Sequence, residues 1–197
     1  MIMRKCVWIC SLLLASSAVF GAAARRQAAG TDRVVQNLDF GWKFFKGDAQ
    51  GAEKTDFDDS QWQNVDVPHD WSIEGPFAQN NPSGTAGGYL PLGIGWYRKE
   101  LKLDAAQRLN KVFVEFDGVY KNSDVWINGQ HLGKRWYGYA SFQYDLTDKI
   151  DWDGDNILAV RVDNSKQTCR WYSGSGIYRH VRLVITPRLH VGHWGTY

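Results

Sequence analysis

The sequence predicts an all-β domain built as a two-sheet β-sandwich. The chain has 197 residues, of which 44% are apolar and 22% charged, a composition typical of one globular domain with its own core. Apolar and polar side chains alternate in several short segments, as they do in strands with one buried face. No segment keeps a sustained helical period. About eight strands of this kind bury their apolar faces most simply by packing as two sheets.

The first half of the chain contains four predicted strands separated by polar loops. An aromatic segment at 42–45 precedes a polar loop, whose short acidic run of Asp56, Asp58 and Asp59 is expected to face solvent. A short strand at 65–67 stops at Pro68. Proline cannot donate to the hydrogen-bond ladder, so it marks the end of that strand. The segments 96–103 and 112–116 alternate more regularly, and each is long enough to cross a sheet.

The longest connection between predicted strands runs over residues 68–95. A loop of this length inside a compact domain is usually functional or disordered. Its Trp71, Phe77 and Tyr89 favour an ordered loop, because large apolar rings need something to pack against. A sandwich gathers its long loops at one end, so we expect functional groups there.

The second half of the chain repeats the strand pattern. Asn128-Gly129 predicts a two-residue hairpin, because both residues tolerate the positive φ of a type I′ turn. Four strands are predicted here, at 125–127, 142–146, 158–162 and 181–185. The positions expected to face the core are Val112, Val114, Phe116, Val125, Ile127, Leu158, Val160, Val162, Val181 and Leu183. Core packing is also the expectation for Trp126.

The first 24 residues have the pattern of a signal peptide. Residues 1–5 carry positive charge, residues 7–20 are largely apolar, and 21–24 supply small residues for cleavage. An apolar run of 14 residues is shorter than the roughly 20 needed to span a bilayer. The pattern therefore predicts an exported protein, periplasmic or extracellular, without a membrane-spanning segment.

The charge balance argues against a nucleic-acid partner. The chain has 23 Lys and Arg, and Arg4 and Lys5 lie in the predicted signal peptide, which leaves 21 against 21 Asp and Glu. Phosphate attraction needs a basic surplus, and none remains. The ten Trp suit a core, and they also suit surfaces that stack on ring-shaped ligands.

Residues for catalysis or metal binding are sparse. Glycosidases typically use two carboxylates about 5 to 9 Å apart, and the chain has only four Glu, of which Glu74 in the long loop has no evident mate. The acidic run at 151–155 imitates a calcium loop, but its glycine is misplaced and Val162 stands where a Glu is required. We therefore predict no catalytic residue, no metal site and no cofactor within this chain.

Four segments carry a family resemblance. They are VPHDWSIEGPF at 67–77, NNPSGTAGGYLPLGIGWYRK at 80–99, FDGVYKNSDVWINGQHLG at 116–133 and RWYSGSGIYRHVRL at 170–183. Together they resemble the N-terminal sugar-binding domain of glycoside hydrolase family 2, particularly its β-galactosidases. The resemblance implies a jelly-roll, galactose-binding-like β-sandwich. In the family an immunoglobulin-like domain and then a TIM barrel follow it, and the barrel carries the two catalytic Glu of a retaining mechanism.

The signal-peptide pattern and the resemblance together divide the chain into four expected parts. They are a signal peptide at 1–24, a lead-in segment at 25–36, the sugar-binding sandwich at 37–187, and the start of a truncated immunoglobulin-like domain at 188–197. The catalytic barrel, which is the intramolecular partner of this domain, would lie beyond Tyr197. The chain alone is therefore expected to be inactive.

The resemblance also implies four substrate-binding residues. Asn81 matches the asparagine that reaches the sugar in family β-galactosidases. Arg170 stands where those enzymes have an Asp that also helps to form a sodium site, and a guanidinium donates to sugar hydroxyls instead of accepting from them. Trp171 and Tyr172 either stack on the sugar or pack against the next domain. A rim salt bridge for Arg170 and a loop-shaping role for Asn81 remain open.

Three functions remain open on the sequence alone. The first is the sugar-binding domain of an exported, retaining β-galactosidase that hydrolyses terminal β-D-galactosides. The second keeps this architecture in a β-glucuronidase or a β-mannosidase. The third is a free-standing carbohydrate-binding module without catalysis. All three predict a carbohydrate partner and none predicts a nucleic acid or a membrane.

Overall fold

The structure, a computed structural model, describes residues 32–166 and 173–196. The predicted signal peptide and the predicted substrate residues Arg170, Trp171 and Tyr172 lie outside the described residues. In the part that is described, no helix has the length and apolar character needed to cross a membrane. The helical structure seen there consists of single 3-10 turns, at Thr85–Gly87, Ala105–Gln107 and Thr147–Lys149.

Antiparallel strands form two sheets. In the described residues they are β1 Val34–Asn37, β2 Trp42–Lys46, β3 Gln63–Val65, β4 Gly93–Leu101, β5 Lys111–Phe116, β6 Ser123–Ile127, β7 Gln130–Arg135, β8 Phe142–Asp145, β9 Asn156–Asn164 and β10 Val181–Thr186. One sheet has the order β1-β10-β5-β8 and the other β3-β2-β4-β9-β6-β7. The predicted all-β sandwich is confirmed, and the boundaries of the eight predicted strands all lie within three residues of the observed ones.

The ten positions predicted to face the core are all buried between the sheets. Each of them has 0% of its surface exposed. Because side chains alternate along a strand, a slip of one residue would turn a whole set toward water. Large aromatic rings from the second sheet complete the same cluster, among them Trp42 and Tyr97. Periodicity alone therefore identified these ten core positions.

A second, smaller cluster lies on the outer face of the six-stranded sheet. Trp126 on β6 stacks on Trp96 of β4 with 5.2 Å between ring centroids, so Trp126 packs here and not in the main core. The polar loop at 47–62 covers this face. Arg98 of β4 is only 2% exposed under that loop, and its Nε donates to Asp59 Oδ2 over 2.7 Å. Asp59 is thus the half-buried partner of a buried cation, whereas Asp56 and Asp58 of the same acidic run are exposed as expected.

The predicted hairpin joins β6 to β7. Asn128 and Gly129 have φ of 50° and 76°, and Ile127 pairs with Gln130 across the turn. The Asn128 side chain fixes the turn to the neighbouring strand, because its Oδ1 accepts from the backbone N of Ile157 over 2.8 Å. The sequence signal for this turn is confirmed.

The sandwich begins earlier than predicted. Val34 pairs with Ile185, so residues 34–36 of the predicted lead-in segment belong to the first sheet. At the other end, residues 188–196 run beside that sheet, where His193 Nδ1 lies 3.4 Å from a carboxylate oxygen of Glu115. The start of a following domain at 188–197 stays a prediction.

Candidate functional site

The long loop and the segment before β10 lie together at one end of the sandwich. This is the end where β4 begins and β9 ends, since Gly93 pairs with Asn164. The loop runs over residues 68–92 and is hydrogen-bonded along 175–177: His69 N donates to Ile177 O over 2.8 Å, and Trp71 N donates to Ser175 O over 3.1 Å. These two segments, about a hundred residues apart in sequence, thus form one surface at this end of the sandwich. It consists of residues 68–92 and 174–177 and is here called the rim.

A carboxylate ties the two segments together at their closest approach. Asp70 Oδ1 accepts from the backbone N of Ser72 over 2.9 Å and from the backbone N of Ser175 over 2.7 Å. Gly174 has φ +72°, and a Cβ placed on it would lie 2.4 Å from Asp70 Oδ2. Glycine is therefore required at 174 both for the turn and to admit the carboxylate.

Two buried serines extend this connection into a hydrogen-bonded chain. Ser72 Oγ lies 2.8 Å from Pro91 O and 2.6 Å from Ser175 Oγ, and Asn164 Nδ2 donates to Ser175 Oγ over 2.7 Å. Each hydroxyl has one hydrogen, so a consistent chain of donation runs from Asn164 through Ser175 and Ser72 to Pro91 O. Both ends of the long loop are thereby tied to the end of β9.

His69 forms a second buried link in the loop. Its Nδ1 lies 2.7 Å from the Tyr97 hydroxyl and its Nε2 lies 3.0 Å from Glu74 Oε1. Burial lowers the pKa of His69 in spite of the nearby Glu74 carboxylate, and burial raises the pKa of Tyr97 well above its usual value. The neutral imidazole accepts from Tyr97 and donates to Glu74. The Glu74 carboxylate therefore holds the loop in place.

Asn81 has its amide hydrogens engaged inside the loop. Its Nδ2 donates to Pro76 O over 2.8 Å and to Tyr89 O over 2.7 Å. These bonds support the loop-shaping role, which remained open on the sequence. They leave the carbonyl oxygen Oδ1 as the atom that can accept from a ligand. Contact between Asn81 and a sugar stays a prediction.

The sequence drew attention to the two segments, through the length of the loop and the family motifs, but not to the residues that connect them. The connecting residues, which were not singled out, are Asp70, Ser72, Ser175, Asn164 and His69. Arg170, Trp171 and Tyr172 precede the Gly174 turn by a few residues and remain predictions. In residues 32–166 and 173–196, no group of three or more His, Cys, Asp or Glu side chains could hold a metal ion.

Comparison with protein families identifies the described sandwich. Residues 35–187 match the family model for glycosyl hydrolases family 2, sugar binding domain. That range includes the whole long loop and the segment before β10. Both parts of the candidate site therefore lie inside the matched region.

Individual relatives cover the same region. The chain is 58% identical over 158 residues to beta-galactosidase BoGH2A of Bacteroides ovatus, which is 79% of this chain and 18% of that protein. It is 42% identical over 176 residues to a putative beta-glucuronidase of Formosa agariphila, 89% of this chain and 16% of the relative. A beta-glycosidase structure from Bacteroides vulgatus aligns with a TM-score of 0.75 and 50% identity, over 77% of this chain and 20% of that one. The chain thus spans less than a quarter of the length of these proteins.

Proposed function

The chain belongs to glycosyl hydrolase family 2 through its N-terminal sugar-binding domain, and from this premise we propose that it serves an exported, retaining β-galactosidase acting on terminal β-D-galactosides. The observation that carries the proposal is the hydrogen-bonded link between loop 68–92 and residues 174–177. It holds the loop that carries Asn81 and residues 174–177 at the same end of the sandwich. The 58% identity to a β-galactosidase supports the choice of sugar.

The proposed role of this domain is to orient the terminal sugar. Asn81 accepts a sugar hydroxyl through Oδ1, because its two amide hydrogens bind Pro76 and Tyr89 within the loop. Arg170 donates from its guanidinium to sugar hydroxyl oxygens. Trp171 and Tyr172 offer ring faces to the apolar side of the sugar. The rigid link to β9 limits the movement of the rim, which lowers the entropy cost of binding.

In this proposal the acid chemistry comes from the family's barrel domain. Retaining hydrolysis needs two carboxyl groups about 5 to 5.5 Å apart, one as acid and base and one as nucleophile. The loop carboxylate Glu74 is bound to His69 over 3.0 Å and serves the loop. The 197-residue chain by itself is therefore expected to hydrolyse no glycoside. Export rests on the signal-peptide pattern at 1–24.

A β-glucuronidase is the second candidate, favoured by the relative that is 42% identical over 176 residues. Arg170 has the chemistry for it, since a guanidinium pairs with a carboxylate through two parallel hydrogen bonds. A uronic acid would then replace the galactose hydroxyls as its partner. A β-mannosidase and a free-standing binding module remain outcomes of the test.

The test compares the 197-residue chain with the product of the gene read past the codon for Tyr197. Both are assayed on aryl β-galactoside, β-glucuronide and β-mannoside. We expect the longer product to prefer the galactoside and the short chain to show no turnover. Preference for another glycoside would change the assigned sugar, and sugar binding without turnover by either product would indicate a binding module. Turnover by the short chain that is lost in Glu74→Gln would contradict the proposal.

A further inference from the structure

Three large aromatic side chains are exposed on the loop between β7 and β8. Trp136, Tyr137 and Tyr139, here called the aromatic patch, are 69%, 61% and 50% exposed. Isolated exposed rings are ordinary, but these three lie within four residues, and the rings of Tyr137 and Tyr139 are 5.7 Å apart. Each ring has a polar group at its edge, an indole N–H or a phenol hydroxyl. The patch therefore offers flat faces and hydrogen-bonding groups together.

The loop under the aromatic patch is held rigidly. Tyr178 donates from its hydroxyl to Gly138 O over 2.8 Å, and the ring of Tyr139 lies 5.1 Å from that of Tyr120. A Cβ on Gly138 would lie 2.3 Å from the Tyr120 ring, so glycine lets the backbone rest directly on that ring. Rings that are already in place lose little entropy when a ligand stacks on them.

The same contacts join the aromatic patch to the candidate site. Tyr120 and Gly176 exchange two backbone hydrogen bonds, of 2.9 and 2.8 Å. Gly176 belongs to the segment that the long loop binds, and Tyr178 follows it by two residues. The patch is thus a continuation of the rim that holds Asn81, at the same end of the sandwich.

The chemistry of the aromatic patch suits pyranose rings better than a polypeptide. Sugar C–H faces stack on aromatic rings, and phenol and indole N–H groups bind the hydroxyls at the edge. Lys134 Nζ lies 4.6 Å over one face of the Trp136 ring and donates to Asp124 over 2.8 Å, so a sugar would stack on the other face of this indole. By contrast, the exposed apolar side chains of the C-terminal segment, Leu189 and Val191, are aliphatic and lack such groups.

We propose that the aromatic patch is a second carbohydrate-binding surface, which stacks on the sugar units that follow the terminal residue of an oligosaccharide or polysaccharide. The proposal rests on the proposed function for the position of the terminal sugar. The ligand class is a chain of several pyranose units. A monosaccharide aryl glycoside is too short to reach the patch.

Binding by the 197-residue chain tests the aromatic patch directly. Retardation in native gels containing a soluble β-linked galactan, or a uronate-containing polysaccharide, gives the affinity of each variant. We expect Trp136→Ala and Tyr137→Ala each to weaken binding by about 3- to 10-fold. Trp194→Ala is the matched control, because Trp194 is 62% exposed on the C-terminal segment and should bind as the unchanged chain does. Equal retardation of all variants, or no retardation by either polymer, would overturn the proposal.

Kinetics of the longer gene product separate this proposal from the proposed function. Trp136→Ala should lower kcat/KM on a galacto-oligosaccharide by the same factor and leave kcat/KM on an aryl β-galactoside unchanged. Equal losses on both substrates would show that the patch packs against another part of the protein. If the unchanged product hydrolyses no β-galactoside, the proposed function fails and the gel measurement still decides the role of the patch.

Discussion

The two long loops of this domain, 47–62 and 68–92, are attached to the sandwich in different ways. Loop 47–62 covers one face of a sheet and is held by ion pairs, in which Asp59 binds the buried Arg98 and Asp48 binds Arg161. Loop 68–92 is held to residues 175–177 by serine hydroxyls and backbone groups, and to Tyr97 of β4 by the neutral His69. The second loop keeps its tip, with Phe77 64% exposed, open to solvent.

The comparison shows how the mode of attachment relates to function. The ion pairs of loop 47–62 hold it against the sheet and stabilise the fold. A hydrogen-bonded link between two loops positions a rim, and the side chains beyond the link stay available. The predictions below test whether loop 47–62 is purely structural and loop 68–92 serves the substrate.

The largest effect is expected from Arg98→Met, which removes the cation under loop 47–62. The change leaves Asp59 and the carbonyl of Lys54, which accepts from Arg98 over 2.8 Å, without their donor. Removing one partner costs about 3 to 5 kcal/mol of unfolding free energy when the remaining charge is buried, and since Asp59 is 26% exposed we expect the lower end, about 3 kcal/mol. Denaturant unfolding of the chain measures it, with the 85% exposed Lys102→Met as control. A loss within about 0.5 kcal/mol, the usual range for surface changes, would show that other contacts hold this loop.

Arg170→Ala in the longer gene product tests the substrate side of the comparison. A hydrogen bond to a charged group contributes about 1.5 to 3 kcal/mol, so kcat/KM should fall by about 10- to 150-fold. The melting temperature should change little. Arg188→Ala, at an exposed guanidinium that bonds only the Leu109 carbonyl among the described contacts, is the matched control. Unchanged kinetics together with a lower melting temperature would make Arg170 a structural residue.

Gly174→Ala tests the link between the two loops. The new Cβ would lie 2.4 Å from the Asp70 carboxylate and sit at φ +72°, so the turn must distort. We expect a loss of about 1 to 3 kcal/mol in unfolding free energy. The same variant of the longer product should also lose kcat/KM. Gly192→Ala has open space around it and should be neutral in both measurements. A fully stable Gly174→Ala would mean that the turn has another conformation.

Asn81→Ala separates loop shaping from sugar contact. The change removes two hydrogen bonds, to Pro76 O and Tyr89 O, and should cost about 1 kcal/mol of unfolding free energy together with a moderate loss of kcat/KM. The exposed neighbour Asn80 provides the control, Asn80→Ala. A loss of kcat/KM at an unchanged melting temperature would mean that Asn81 acts only on the sugar.

The smallest effect concerns the pH dependence of loop 47–62. Hydrogen bonds from Arg161 lower the pKa of Asp48 from 3.8 to about 2. A carboxyl group with a depressed pKa stabilises the fold above its unfolded value, and this stability is lost as the pH falls through the folded value. Asp48→Asn should therefore lower the free energy of unfolding at neutral pH by less than about 1 kcal/mol, and the melting temperature with it. The difference in stability between this variant and the unchanged chain should disappear between about pH 4 and pH 2. A difference that persists at pH 2 would contradict the ion pair.

Much of the fold could be predicted from sequence, because its signals are local. Alternation identified all ten tested core positions, and Asn128-Gly129 identified a turn with positive φ at both residues. The family motifs identified the sandwich and both segments of the candidate site. Each of these signals lies within a few neighbouring residues, where side-chain period and backbone preference act directly.

The sequence by itself determined the strands, the core and the family of this protein, and only the tertiary structure decided how the loops are held. The bond between Ser72 and Ser175 joins residues 103 positions apart, and the Arg161 partner of Asp48 lies 113 positions away. Local propensity cannot specify such pairs, since they depend on which strands become neighbours. Whether a polar residue faces water, as expected for Asp59, or a buried cation, as found, is likewise decided when the sheets pack.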